Sequence, residues 1–460
     1  MERGFDCDVL IAGGGVVGCA IARELSLFDL RVTLLEAGPD IGAGTSKANT
    51  ALLHTGFDAK PGTLESELVV RGYEQLGRYA ERVGIPVERT GALLVAWSEE
   101  QLGSLPRIVE QSHANGYEPI RELSAEELYR REPHLGPGAL GALEVPDEGI
   151  ICPFTTPLAF ATEAVLAGCE LQRGVAVTGL GRLEDGGVVV RAGAREWRTR
   201  FFVNAAGLRS DELDRMLGHD GFTVTPRRGE LIVFDKLSRP LVSHIVLAVP
   251  TKITKGVLIA PTVFGNVMLG PTAEDVEHKD DTSSTAPGLD YLRAEGRRIM
   301  PELLEQEVTA VYVGLRAATE HADYQVSIHA DEGYACVGGI RSTGLSGSMA
   351  IAEHVRGLLE DAGLALSPRP GEPVELTMPN IGEAFTRPYA DAERIAADSD
   401  YGRIICFCER VTRGEIRDAF GSPIPPADLD GLRRRTRAHM GRCQGFFCGA
   451  ELASLIEERA

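Results

Sequence analysis

The sequence predicts an α/β chain with a second domain built on a mixed, mainly antiparallel sheet, and a small helical module at its C-terminal end. Three observations predict it. Residues 8–36 run as apolar segment, glycine turn, helical segment and second apolar segment. Thr223 to Leu269 is dense in β-branched residues and turn signals, as an antiparallel sheet requires. Four of the nine cysteines fall in the last 55 residues.

In the first stretch, Val9 to Ala12 reads as a strand, Val16 to Leu27 as a helix, and Val32 to Leu35 as a second strand ending on Glu36. Gly13, Gly15 and Gly18 carry the G-x-G-x-x-G spacing between strand and helix, which is the order a dinucleotide-binding βαβ unit needs. Gly13 allows the tight turn, Gly15 leaves the backbone open to a pyrophosphate, and Gly18 lets the helix pack close on the strand. The helix N-terminus offers unpaired N–H groups and partial positive charge to phosphates. Glu36 lies 18 residues beyond Gly18, placed to accept hydrogen bonds from a ribose hydroxyl, with Ala37 beside it. A glycine turn alone is common; both strands and the acid in sequence point to dinucleotide binding. The hydroxyl-rich run Gly42 to Asn49, through Thr45, Ser46 and Asn49, can bond further phosphate and ribose oxygens. The apolar stretch after it can run beneath a flat ring.

At 460 residues the chain has room for two or three domains. The apolar fraction of 43% is ordinary. No apolar run approaches the roughly 20 residues a spanning helix needs. The charged start, Met1 to Asp8, lacks the shape of a signal peptide, so a cytoplasmic protein is expected. A net charge of −20 argues against a general nucleic-acid binder. Cys7, Cys19, Cys152, Cys169 and Cys336 sit among apolar or small residues and read as core thiols in a reducing compartment.

Glu65 to Val83, Glu99 to Asn115, Ser124 to Arg131 and Pro157 to Ala167 are helical in pattern, with a capping box from Ser124 to Glu127. Glu170 to Gly179 reads as a strand whose Val175 can sit beside an adenine. Val188 to Val203 alternates as a hairpin and feeds the turn Asn204 to Gly207, which brings Ala206 and Gly207 back to the nucleotide. Val308 to Arg316, Gln325 to His329 and Tyr334 to Ile340 are strands, and Leu345 to Leu359 a helix opened by Ser342 to Ser346. Leu366 to Asp400 carries five prolines and little apolar period, as a wrapping connector does.

Cys406 and Cys408 are followed after 34 residues by Cys443 and Cys448. Four paired thiolates suit an iron–sulfur cluster or zinc. Zinc ribbons favour C-x-x-C pairs, whereas these are C-x-C and C-x-x-x-x-C. The basic run Arg433, Arg434, Arg435, Arg437 and Arg442 precedes the second pair. It reads either as a solvated helix face or as a docking surface for an acidic partner.

The N-terminal unit, the Gly42 to Asn49 run and the Asn204 to Gly207 segment resemble glutathione-reductase-like flavoproteins of the D-amino-acid-oxidase branch. The cysteine spacing, with the helix start Thr412 to Glu415, resembles the bacterioferritin-associated-ferredoxin-like [2Fe–2S] domain. Together they look like the large subunit of anaerobic glycerol-3-phosphate dehydrogenase. The resemblance implies an FAD domain at about 1–80, 151–222 and 326–365, and a substrate domain at about 81–150 and 223–325. A linker at 366–401 and a [2Fe–2S] domain at 402–460 complete it. It implies Cys406, Cys408, Cys443 and Cys448 as cluster ligands, with Arg316 and Arg341, each ending a strand, holding an anionic substrate over the flavin. His54 is expected beneath the flavin as a structural, proton-accepting or flavin-linked residue, and Glu230 is a second candidate base. The segment opening on Gly339, Gly344, Leu345 and Ser346 would aim a helix N-terminus at the flavin. The implied reaction is hydride transfer from glycerol 3-phosphate to FAD, with electrons leaving through the cluster to a partner subunit, then onward to a membrane quinone. The stretch His54 to Asp58 lacks the arginine and tyrosine of glycerol-3-phosphate dehydrogenases and also looks like 2-hydroxyglutarate oxidases, so 2-hydroxyglutarate or an amino acid is the alternative substrate. An electron-transfer subunit without its own substrate is the alternative of another class.

Overall fold

The computed structural model describes residues 4–184, 186–250 and 256–457. The remaining positions, including 251–255 within the expected second sheet, lie outside the described residues.

The first sheet is built on Cys7–Ala12, whose Val9, Leu10 and Ile11 are fully buried. A strand apolar on both faces belongs in the middle of a parallel sheet covered on each side. Cys7–Ala12 pairs in parallel with Val32–Glu36 and with Arg195–Asn204, and Tyr334–Gly338 extends the parallel set beyond Arg195–Asn204. Val177–Arg182, Val188–Ala192, Glu170–Arg173 and Gln325–His329 complete it. The helix Val16–Leu25 packs so close that a Cβ on Gly18 would lie 1.9 Å from the Gly13 carbonyl. Gly13 has φ +113°, a conformation only glycine adopts freely.

The second sheet runs Glu274–Asp275, Thr225–Phe234, Val267–Gly270, Leu258–Pro261, Ile245–Ala248, Ala92–Ala96, Gly141–Val145, Arg121–Ser124, with Val308–Ala318 also paired to Thr225–Phe234. It is antiparallel except where Ile245–Ala248 meets Ala92–Ala96 in parallel. In the long pair, Arg227 faces Arg316, Gly229 faces Gly314 and Glu230 faces Val313. Gly314 is where this sheet reaches the first domain: a Cβ there would lie 1.9 Å from the Ala48 carbonyl. Tyr312 donates to the Asn49 carbonyl at 2.7 Å and Thr45 to that of Leu315 at 2.9 Å. These contacts hold the Thr45 to Asn49 segment between the sheets.

After the helix Gly344–Asp361 the chain runs as a strap, with Arg369 donating to Leu27, Met378 to Val83 and Glu383 to Val263. It leads to the C-terminal module, a two-stranded ribbon (Ile404–Cys406, Val411–Thr412) with helices Arg413–Phe420, Leu429–Thr436 and Gly449–Glu457. Ile405, Val411, Ile416, Leu432 and Leu452 form its own small core. The expected capping box at Thr412 and Glu415 is present.

Three of the five arginines of the basic run are buried, while Arg433 and Arg442 keep side-chain exposures of 38 and 47%. Arg434, Arg435 and Arg437 are only 5, 9 and 6% exposed. Arg434 and Arg435 both bind the carboxylate of Asp40, which is fully buried in the first domain, and Arg173 reaches the same group. Arg437 pairs with buried Glu409 and lies over the Phe264 ring at 4.1 Å. Arg442 pairs with Asp235 at 2.7 Å. Acids at positions 40, 235 and 409, remote in sequence, converge on Arg434, Arg435, Arg437 and Arg442, and Asp430 on the same helix takes Arg433.

Candidate active site and cysteine centre

A cavity of about 560 Å³ lies where the two sheets meet. Two helix N-termini open onto it, through Gly15, Val16 and Val17 at one end and Ser342, Gly344 and Leu345 at the other. Neither helix is capped by the side chain of its own N-cap residue, whereas Thr63, Ser98, Ser124 and Thr285 cap theirs. Two helix N-termini at one cavity suit a ligand with separated anionic or electron-rich ends.

Of the expected cofactor residues, Gly15, Thr45, Ser46, Asn49, Gly207, Gly339, Gly344 and Leu345 line the cavity. Gly13 and Gly18 shape the turn behind it. Glu36 accepts from the amides of Gly14 and Gly38, each at 2.6 Å, and burial lifts its carboxyl above the ordinary range despite those bonds. Val175 is tied to it, donating to the Glu36 carbonyl at 2.9 Å, while Ala37 is exposed and Ala206 bonds Asn204. Ser46 accepts from the Val16 amide at 2.9 Å. Ser346 is fully buried outside the lining: it accepts from the His54 amide at 2.8 Å and donates to the Leu52 carbonyl, so it positions the segment carrying His54.

Three of the four expected catalytic side chains meet in the cavity: His54, Arg316 and Arg341. Glu230 does not. Gly229 and Leu231 face the cavity, and strand alternation sends Glu230 to the opposite face. There its buried carboxylate accepts from the Thr285 amide at the start of the helix Ala286–Ile299 and from the Thr272 hydroxyl. Its role is to hold a helix end, and the expectation of a base is corrected.

His54 has a partner that the sequence did not reveal. Its Nδ1 lies 3.2 Å from Oε2 of Glu148, a carboxylate with no exposure. The other oxygen, Oε1, accepts from the amide and hydroxyl of Thr55 at 2.7 and 2.8 Å, which fixes the carboxylate in place. Glu148 stands 94 positions from His54, in a short acidic turn indistinguishable by pattern from a surface loop.

The two arginines differ. Arg341 is already engaged, with Glu65 at 3.0 Å and the Ala322 carbonyl at 2.6 Å. Arg316 has no carboxylate at ion-pair distance among the described residues; it reaches only the Thr272 carbonyl, at 3.3 and 3.4 Å. Burial, with Arg227 nearby, pushes its pKa down to about 10, so it stays a cation at neutral pH. A desolvated, uncompensated guanidinium is costly unless an anion completes it.

At the far end of the chain the thiols form two pairs, Cys408 with Cys443 and Cys406 with Cys448. Among the described residues no three of these sulfurs lie within 4.8 Å of one another. Four thiolates on one zinc would stand about 3.8 Å apart, from a Zn–S length near 2.3 Å. Two neighbouring pairs that still act on each other electrostatically instead suit two irons, each taking two cysteines. The amide of Phe447, with those of Gly445 and Phe446, holds the Cys443 thiol below its ordinary value, which favours the ligating thiolate.

The family model described as FAD dependent oxidoreductase matches residues 8–358. The chain belongs to that family. A second model, the BFD-like [2Fe-2S] binding domain, matches residues 404–458. The chain is 34% identical over 451 residues to a glycerol 3-phosphate dehydrogenase of Caloramator mitchellensis, covering 98% of this chain and 93% of that protein. It is 27% identical to a subunit of the anaerobic glycerol-3-phosphate dehydrogenase of Escherichia coli, covering 98% of this chain and 88% of that one. Among solved structures, the FAD-bound L-alpha-glycerophosphate oxidase of Mycoplasma pneumoniae superposes with a TM-score of 0.77 at 29% identity, covering 81% of this chain and 99% of that one. The protein is thus a glycerol-3-phosphate dehydrogenase-like oxidoreductase of the family, with FAD and a [2Fe–2S] cluster as its cofactors. The two helix N-termini and the glycine cradle fit FAD, and the two thiol pairs fit the cluster.

Proposed function

We propose that the enzyme oxidises glycerol 3-phosphate to dihydroxyacetone phosphate. Bound at the glycine cradle, FAD would supply the hydride acceptor, and a cluster held by Cys406, Cys408, Cys443 and Cys448 would supply a one-electron exit. The single observation that carries the substrate reading is Arg316, a cation left without an internal anion in the same cavity as His54. A phosphate completes Arg316 through the paired N–H donors of its fork, with Arg341 turning from Glu65 to share it. His54 then takes the proton of the C2 hydroxyl, and Glu148 behind it steadies the ring as it becomes cationic. The resemblance to the Caloramator and Escherichia coli proteins over nearly the whole chain supports the same substrate. The Escherichia coli protein, itself one subunit of its enzyme, supports a partner subunit here. That partner receives the electrons and links the enzyme to the inner face of the membrane. Anaerobic mixing tests the reading: glycerol 3-phosphate should bleach the flavin, whereas 2-hydroxyglutarate, glycine and sarcosine should not. Bleaching by 2-hydroxyglutarate with none by glycerol 3-phosphate would overturn it.

A further inference from the structure

Among the described residues, the four most exposed large apolar side chains are Phe446, Phe447, Leu237 and Phe407, at 84, 71, 71 and 69%. Such side chains scatter singly over a protein surface, but these fall on the two cysteine loops and on a turn tied to one of them. Phe407 stands between Cys406 and Cys408, and Phe446 and Phe447 stand between Cys443 and Cys448, so three rings interleave the four ligands. Phe446 and Phe447 meet edge to face with centroids 5.2 Å apart. Leu237 joins them through Asp235, whose Oδ1 accepts both from the Leu237 amide at 3.1 Å and from Arg442, the neighbour of Cys443, at 2.7 Å.

We propose that these four side chains form the docking face for a one-electron carrier protein, which receives the electrons of the cluster. The inference rests on the electron route proposed above and identifies the surface that serves it. Oxidation of one substrate molecule releases two electrons and the cluster passes one at a time, so two successive transfers reduce two equivalents of acceptor per turnover. The acceptor's redox centre must come close to the cysteines, and the rings around them are what it meets.

The charges beside the face decide what kind of surface fits. Arg442 is taken up by Asp235 and Glu307, and Lys236 by Glu383 and Glu409. These cations are spent inside the chain, and the net charge is −20. An anionic bilayer would be repelled, and an acidic patch on a partner would find no compensation. The matching surface is therefore an apolar, weakly charged protein face, and docking should depend little on salt.

The test compares wild type with Phe446→Ser and with Phe407→Ser/Phe446→Ser, each loaded with FAD and cluster and each checked for unchanged visible absorption of the cluster. Reduced enzyme is mixed anaerobically with ferricyanide, a small ion that needs no docking, or with the soluble and membrane protein fractions of the source cells; reoxidation of the cluster is followed. Dithionite serves as reductant beside glycerol 3-phosphate, so a wrong substrate reading leaves this test intact. The expected result is equal rates with ferricyanide and at least a tenfold loss with the protein fractions, little changed between 50 and 300 mM salt. Equal rates with the protein fractions would overturn the proposal. So would flotation of wild type, but not Phe446→Ser, with phosphatidylcholine–phosphatidylglycerol vesicles, or a wild-type dimer that the serine variant breaks. If the double variant loses its cluster, Phe446→Ser alone decides, since that ring is the most exposed of the four.

Discussion

Arg316 and Arg341 both line the cavity, yet their surroundings give them different work. Arg341 is held by Glu65, while Arg316 waits on an anion. Lysine at either position keeps the charge and loses the planar fork. Breaking a desolvated charge contact costs roughly 2–5 kcal/mol. Arg316→Lys should therefore lower kcat/KM by about thirtyfold to several thousandfold, chiefly through KM, and Arg341→Lys by less. Flavin content should be normal in both. A larger loss at Arg341 would reverse the assignment, and steady-state kinetics with anaerobic dye reduction measures it. Glu148 acts through His54 rather than on the substrate. Glu148→Gln keeps the shape and removes the negative charge that steadies the imidazolium, so kcat should fall by about one to two orders of magnitude with KM little changed. Normal kcat in stopped-flow flavin reduction would reduce Glu148 to a packing residue.

At the scale of elements, the helix Leu429–Thr436 is attached to the first domain by a buried carboxylate. Burial alone would raise the Asp40 carboxyl, but bonds from Arg435 and the charges of Arg435 and Arg434 bring it below its ordinary value near 3.8. A carboxyl lowered in the folded state contributes stability that is present above its unfolded value and lost as pH falls through its folded one. Asp40→Asn leaves the buried guanidinium of Arg435 without a carboxylate, while Arg434 keeps Asp430, a loss of about 3–5 kcal/mol. Calorimetry at pH 7 should show a lower melting temperature for the variant, and the gap from wild type should narrow as pH drops below about 4. A gap independent of pH would mean that the carboxylate's charge is not what holds the helix.

At the scale of the molecule, the flavin cavity and the thiol pairs occupy different folding units, each with its own core. Cys443→Ser should therefore remove the iron while leaving about one FAD per chain and normal bleaching by substrate. Iron and zinc analysis of anaerobically purified wild type should find about two irons per chain. Stoichiometric zinc in their place would contradict the two-pair geometry. Loss of FAD together with the cluster would show instead that the Asp40 contacts transmit the damage from one unit to the other.

Local chemistry was legible because its signals are short-range. The glycine spacing at Gly13, Gly15 and Gly18, the capping boxes at Ser124 and Thr412 and the hairpin Val188 to Val203 each depend on nearby positions, and each appears in the fold, whereas the thiols pair across the module, Cys408 with Cys443 and Cys406 with Cys448. Strand alternation was legible in principle, but its phase was not: whether Gly229 or Glu230 faces the cavity depends on how Thr225–Phe234 lies against Val308–Ala318. Glu148 behind His54 and Asp40 beneath Arg434 and Arg435 were invisible, since each carboxylate reads as an ordinary surface acid until the chain folds back on it. The sequence by itself determined the dinucleotide unit, the cysteine module and the residue types able to bind an anion. Only the tertiary structure decided which charges are consumed internally and which are left for a ligand, because compensation of a charge depends on distance in space and is unrelated to separation along the chain.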